Sequence, residues 1–171
     1  MRFSPVIPAL LAVVALFTGC AGYSLGPVKP SSMAGIETIA VPVFGNDTLE
    51  PRLEVPTTSS VVRQFQNDGT YRITTVKDAD AVLEGNIVAV TRNPARSVRG
   101  NVISTLEFDV QVTLAFTLID NRSGRELAIG TVTGSSTFFV GNDVSLDQTQ
   151  AIPRAVDELS IRLVSRIAEG W

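Results

Sequence analysis

Between Leu106 and Leu118 every second residue is apolar (Leu106, Phe108, Val110, Val112, Leu114, Phe116, Leu118), and Glu107, Asp109, Gln111, Thr113 and Thr117 lie between them. Side chains alternate across a strand with period two, so this stretch predicts one long strand with a single dry face. Asp120-Asn121-Arg122-Ser123-Gly124 then reads as a hairpin turn into a second long strand from Glu126 to about Phe139, where Gly130 and Gly134 suggest a bulge or strong twist. Earlier in the chain, the β-branched run Ile36–Val43 reads as a buried strand, and Tyr71–Val76 and Ala81–Thr91 read as two more, separated by the turn residues Lys77–Asp80.

Helical spacing appears twice. Leu53, Val61, Val62 and Phe65 fall near one face of a segment that Gly69 ends, with Thr48 as its expected N-cap. Pro56 and the run Thr57-Thr58-Ser59-Ser60 are poor helix formers, so a kink or a late start is expected there. Ile152, Val156, Leu159, Leu163 and Ile167 predict a final helix from about Thr149 to Ala168, with Pro153 near its first turn. The order of elements predicts an α+β fold: one mixed, mostly antiparallel sheet with two helices packed on one face. Its other face is polar and suits water or a hydrophilic partner.

The first nineteen residues differ from all of this. Arg2 is followed by an apolar stretch from Val6 to Phe17 and by Thr18-Gly19 before Cys20, which is the layout of an export signal. The stretch is shorter than the roughly 20 apolar residues a membrane span requires. Residues 21–32 carry glycines, prolines and serines and read as a tether, giving a signal peptide at 1–19, a lipid-anchored tether at 20–35 and one domain at 36–171.

Composition narrows the chemistry. Cys20 is the sole cysteine and histidine is absent, which removes disulfides, the usual thiol nucleophile and the commonest general base and metal ligand. Most hydrolase designs are therefore excluded, and no cofactor is expected. The formal charge is −3, and one unit more negative without Arg2, so no global basic field draws nucleic acid. Glu107 and Asp109 share a strand face, but polar residues at period two are what a solvated face requires. The segment Thr91–Val102 is the exception, because Arg92, Arg96 and Arg99 fall within eight residues without an acid. Guanidinium forks match phosphate geometry, so this segment is either a local anion site or a solvated hairpin tip.

Leu16-Phe17-Thr18-Gly19-Cys20 resembles a bacterial lipobox, which implies cleavage before Cys20 and acylation of that cysteine, palmitate included. Ala21 stands where an aspartate would retain such a protein at the inner membrane, so the resemblance implies the periplasmic side of the outer membrane. The rest of the chain resembles the LptE-type lipopolysaccharide-assembly lipoproteins. The likeness rests on Cys20-Ala-Gly-Tyr23, the IxxIAVPVFGNDTLEP stretch Ile36–Pro51, Asp80-Ala-Val-Leu-Glu-Gly85, the alternating strands, Phe138-Phe139 and the final helix. It implies a non-enzymatic plug inside an LptD-type outer-membrane β-barrel, in contact with lipopolysaccharide and held to the membrane by lipid on Cys20. It also implies that Arg99, with Arg96 and Arg92 nearby, contacts lipopolysaccharide. The loop after Phe139 carries Asp143 and Asp147 where the family has a second basic residue. An envelope adaptor lipoprotein, activating a peptidoglycan synthase or forming part of a secretion pore, is the alternative, since such proteins open with a similar IAVxxF strand.

Overall fold

The computed structural model describes residues 29–96, 106–140 and 144–170; the expected signal peptide, Cys20, most of the tether and Arg99 lie outside them. Six strands, β1 (Thr38–Ala40), β2 (Gly45–Asn46), β3 (Arg72–Ile73), β4 (Ala81–Arg96), β5 (Leu106–Asp120) and β6 (Glu126–Val140), form one open mixed sheet. Its order is β3-β1-β4-β5-β6, with β2 also paired to β4. β4, β5 and β6 are antiparallel, whereas β1 pairs in parallel with both β3 and β4, and β2 in parallel with β4. Helix α1 (Glu54–Asp68) lies in sequence between β2 and β3, and helix α2 (Val144–Glu169) closes the fold.

The period-two pattern of β5 sorts its side chains as expected. Val110, Val112, Leu114 and Leu118 are fully buried, and together with Leu159, Leu163, Val61 and Phe65 they place both helices on the same face of the sheet. The turn after β5 is closed by its own aspartate: Asp120 Oδ1 accepts the N–H groups of Arg122 (2.9 Å) and Ser123 (3.2 Å), and Gly124 sits at φ 71.

Several local expectations differ from what is found. The strand expected over Ile36–Val43 pairs only at Thr38–Ala40, because Pro42 has no N–H for the ladder. Helix α1 takes the expected late start rather than a kink, at Glu54, which leaves Pro56 in the first turn where its missing donor costs nothing. Thr48 does not cap it; its N–H and hydroxyl bond to Asn46 Oδ1 instead, at 3.0 and 2.7 Å. The hydroxyls of Thr57 and Thr58 donate to the carbonyls of Leu53 and Glu54, so polar residues turn inward fully bonded. Gly69, at φ 75, ends the helix as expected.

A further difference concerns the glycines of β6. The ladder runs unbroken past Gly130 and Gly134, and the register shift lies instead at Leu118/Ile119. Gly134 serves packing: a Cβ there would stand 2.0 Å from the carbonyl oxygen of Ala155 and 2.4 Å from the nitrogen of Leu159. Only glycine lets α2 approach the sheet this closely. Finally, α2 begins about a turn earlier than expected, so Pro153 is inside the helix.

Candidate functional site

β4 continues as strand through Arg92 to Arg96, where the sequence suggested a loop. Arg92 is registered opposite Val110, and Arg96 opposite Glu107 after a shift at Pro94/Arg96. The Arg92 guanidinium is ion-paired with Glu50 in the loop between β2 and α1. Of the three expected arginines, Arg92 is thus engaged with a carboxylate, Arg96 is placed by its backbone, and Arg99 lies outside the described residues. Glu50 as the partner was not legible, since 42 residues separate the pair.

Among the described residues, no helix packs on the other face of the sheet. Across β4, β5 and β6 its successive rows are Thr91–Gln111–Ser135, Ala89–Thr113–Thr133 and Asn86–Ala115–Thr131, with no charge among them. Thr113 and Thr133 share a hydrogen bond of 3.0 Å. Glu84, Thr117 and Ile129 extend the same surface and, with Asn86, Ala115 and Thr131, line a shallow groove. Glu107 and Asp109 stand at its far end, where Gln111 Nε2 donates to Asp109 Oδ2 at 2.8 Å.

β6 is an outer strand of the sheet, and α2 serves its free edge. Glu158 accepts from the backbone and hydroxyl of Ser135, and Arg166 Nη1 donates to the carbonyl of Thr131 at 3.2 Å. The Ser135 N–H, foremost, holds the Glu158 carboxyl below its ordinary value against a smaller effect of burial. At the other end of the sheet Asp80 ties three segments together. It accepts from the Thr38 hydroxyl (2.8 Å), from the N–H groups of Glu37 and Thr38 (3.1 Å each) and from Arg122 (2.6 Å). The Thr38 hydroxyl is the largest of several contacts that lower its carboxyl. Sequence alone read Asp80 as a turn residue; its cross-linking role had no signal there.

Tyr71 is buried, and its hydroxyl has no hydrogen-bond partner among the described residues. Burial first, and Asp68 second, push it up to about 12, so it stays a neutral phenol. Among the described residues no three His, Cys, Asp or Glu side chains group closely enough to hold a metal ion, and no helix is long and apolar enough to cross a membrane.

A comparison with curated proteins found no match to the sequence. Among solved structures, protein CT253 from Chlamydia trachomatis has a similar fold (TM-score 0.59, 9% identity, covering 78% of this chain and 96% of that one). So do protein XCC0632 from Xanthomonas campestris (0.59, 14%, 78% and 85%) and a minor lipoprotein from Acinetobacter baumannii (0.53, 10%, 79% and 94%). At these identities the likeness is one of fold. The family described as LptE, lipopolysaccharide-assembly, matches residues 36–168, which includes every strand and nearly all of the last helix. On that match, and on a fold that agrees with it, the chain belongs to the LptE family of lipopolysaccharide-assembly proteins.

Proposed function

We propose that the chain is an outer-membrane lipoprotein, acylated at Cys20, that seats inside an LptD-type β-barrel and assists lipopolysaccharide assembly from the periplasmic side. The observation that carries this reading is the two-sidedness of the sheet. One face is dry beneath two helices, while three consecutive rows of the other are uncharged and rich in hydroxyl and amide groups. Such a face keeps its hydrogen-bonding groups wet without attracting counter-charge, which suits the water-filled, polar lumen of a large barrel. The membership in a lipopolysaccharide-assembly family supplies the task.

On this reading Arg99 and Arg96 grip the phosphates of lipopolysaccharide, and Arg92 supports them from the strand, its guanidinium steadied by Glu50. The lipid on Cys20 keeps the chain at the membrane, because each buried CH₂ contributes about 0.8 kcal/mol and several acyl chains make detachment negligible. The test is copurification of the tagged, lipidated chain from its own cells. A large outer-membrane β-barrel should accompany it in near-equal amount; a peptidoglycan synthase, or a ring of this chain alone, in place of the barrel overturns the proposal. Radioactive palmitate should label the chain and leave the Cys20→Ala variant unlabelled.

A further inference from the structure

We propose that Leu49 is an anchor that inserts into a preformed apolar pocket of a protein partner, held out for that purpose by a loop in which the side chains of Asn46, Asp47, Thr48 and Glu50 are bonded. Leu49 is 100% exposed, the extreme among the large apolar residues described, and Val43 and Val55 on either side of the loop are also exposed. A single exposed leucine is ordinary on a protein surface. What sets this one apart is the loop that carries it.

The loop between β2 and α1 is fixed at both ends and along its length. Asp47 N–H donates to the Ile87 carbonyl at 2.9 Å and Asp47 Oδ2 accepts from Asn86, while at the other end Leu53 is buried. Asn46 binds inward from both sides of its amide: Oδ1 accepts from Thr48, and Nδ2 donates to the Glu50 carbonyl (2.8 Å) and to Glu54 Oε2 (3.0 Å). The Glu50 carboxylate is held by Arg92. Arg52 closes the loop at φ 62, a left-handed conformation uncommon for a residue with a side chain. The apolar tip is therefore pre-ordered, and a pre-ordered anchor loses little freedom on docking.

Charge decides what the anchor meets. The acids Asp47, Glu50 and Glu54 outnumber the basic residues Arg52 and Arg92 of the loop and its strand support, so the tip lacks the basic cluster by which a protein segment is drawn to an anionic lipid surface. A pocket on a protein wall needs no such cluster. Taken with the proposed function, on which this step rests, the pocket belongs to the inner wall of the barrel.

The experiment uses the full, lipidated, tagged chain in its own cells and measures the barrel that copurifies, for Leu49, Leu49→Ser and Leu49→Met. Because the side chain is fully exposed, all three should melt at the same temperature. Leu49→Ser should capture about tenfold less barrel or lower still, as removal of a central anchor does, and Leu49→Met should stay within about threefold of the native chain. Equal capture by Leu49→Ser overturns the anchor, as does a methionine variant no better than the serine one. A photoreactive residue at position 49 should crosslink to the barrel; crosslinks to lipid alone also overturn it. A native chain that brings down no barrel removes the proposed function and this inference together.

Discussion

The carboxylate of Glu158 accepts the backbone N–H of Ser135 at 2.5 Å and its hydroxyl at 3.0 Å, so a side chain of the last helix closes a gap on the free edge of the sheet. Two residues along the same edge, outward groups recur at Thr133, and two further on Arg166 meets the Thr131 carbonyl. β6 needs such cover: from Leu127 to Val140 it has neither a charge nor a proline, the usual devices that keep an edge from pairing with another chain. Replacing Glu158 by alanine should cost about 1–2 kcal/mol in urea unfolding, the scale of one charge-assisted bond. With Arg166→Ala added, sedimentation should show self-association that rises with protein concentration; a monomeric double variant would refute the guarding role.

Gly134 and Gly130 should respond oppositely to alanine. At Gly134 the added carbon meets the backbone of α2 at 2.0 Å, which a rotamer change does not relieve, so a loss of about 3 kcal/mol or more is expected. At Gly130 the nearest atom is the Arg166 guanidinium at 3.2 Å, the end of a flexible side chain, and the loss should be below about 1 kcal/mol. Denaturant melts of the two variants check the pair.

Asp80 should make the fold acid-sensitive. Its carboxyl is lowered in the folded chain, chiefly by the Thr38 hydroxyl, so its contribution is present above the unfolded aspartate value of about 3.9 and is lost as pH falls through the lower folded value. Asp80→Asn should lower the melting temperature at pH 7, and the gap to the native chain should narrow as the pH is taken below about 4. A gap that stays constant with pH would show that the carboxylate charge is unimportant there.

The arginines should separate by role. Arg96→Ala with Arg99→Ala should weaken binding of the unlipidated domain to lipopolysaccharide roughly a hundredfold if both engage, with lysine replacements rescuing only part. Arg92→Ala should act chiefly on the β2–α1 loop it holds through Glu50, with a stability loss of about 0.5–1 kcal/mol. Unchanged binding in a folded double-alanine variant would sink the lipid-contact role.

Periodicity in the sequence determined the long strands, the dry face of β5 and the apolar stripe of α2, because burial imposes period two on a strand and about 3.6 on a helix wherever one side is dry. Turn chemistry was equally local: Asp120 and Gly124 close the hairpin with bonds that reach no further than neighbouring residues. The ordered motifs from Ile36 to Phe139 sufficed for the family likeness. Only the tertiary structure decided what depends on distant partners. Gly134 is a packing glycine because α2 crosses it, and Arg92 is held by Glu50 because β4 extends under the β2–α1 loop. Asp80 is a cross-link because β1 runs beside β4, and Leu49 is a fixed, exposed tip because Asn46, Asn86 and Arg92 restrain the chain around it. No periodicity encodes those contacts, since each joins elements whose relative placement is set by burial of the whole core rather than by either segment alone.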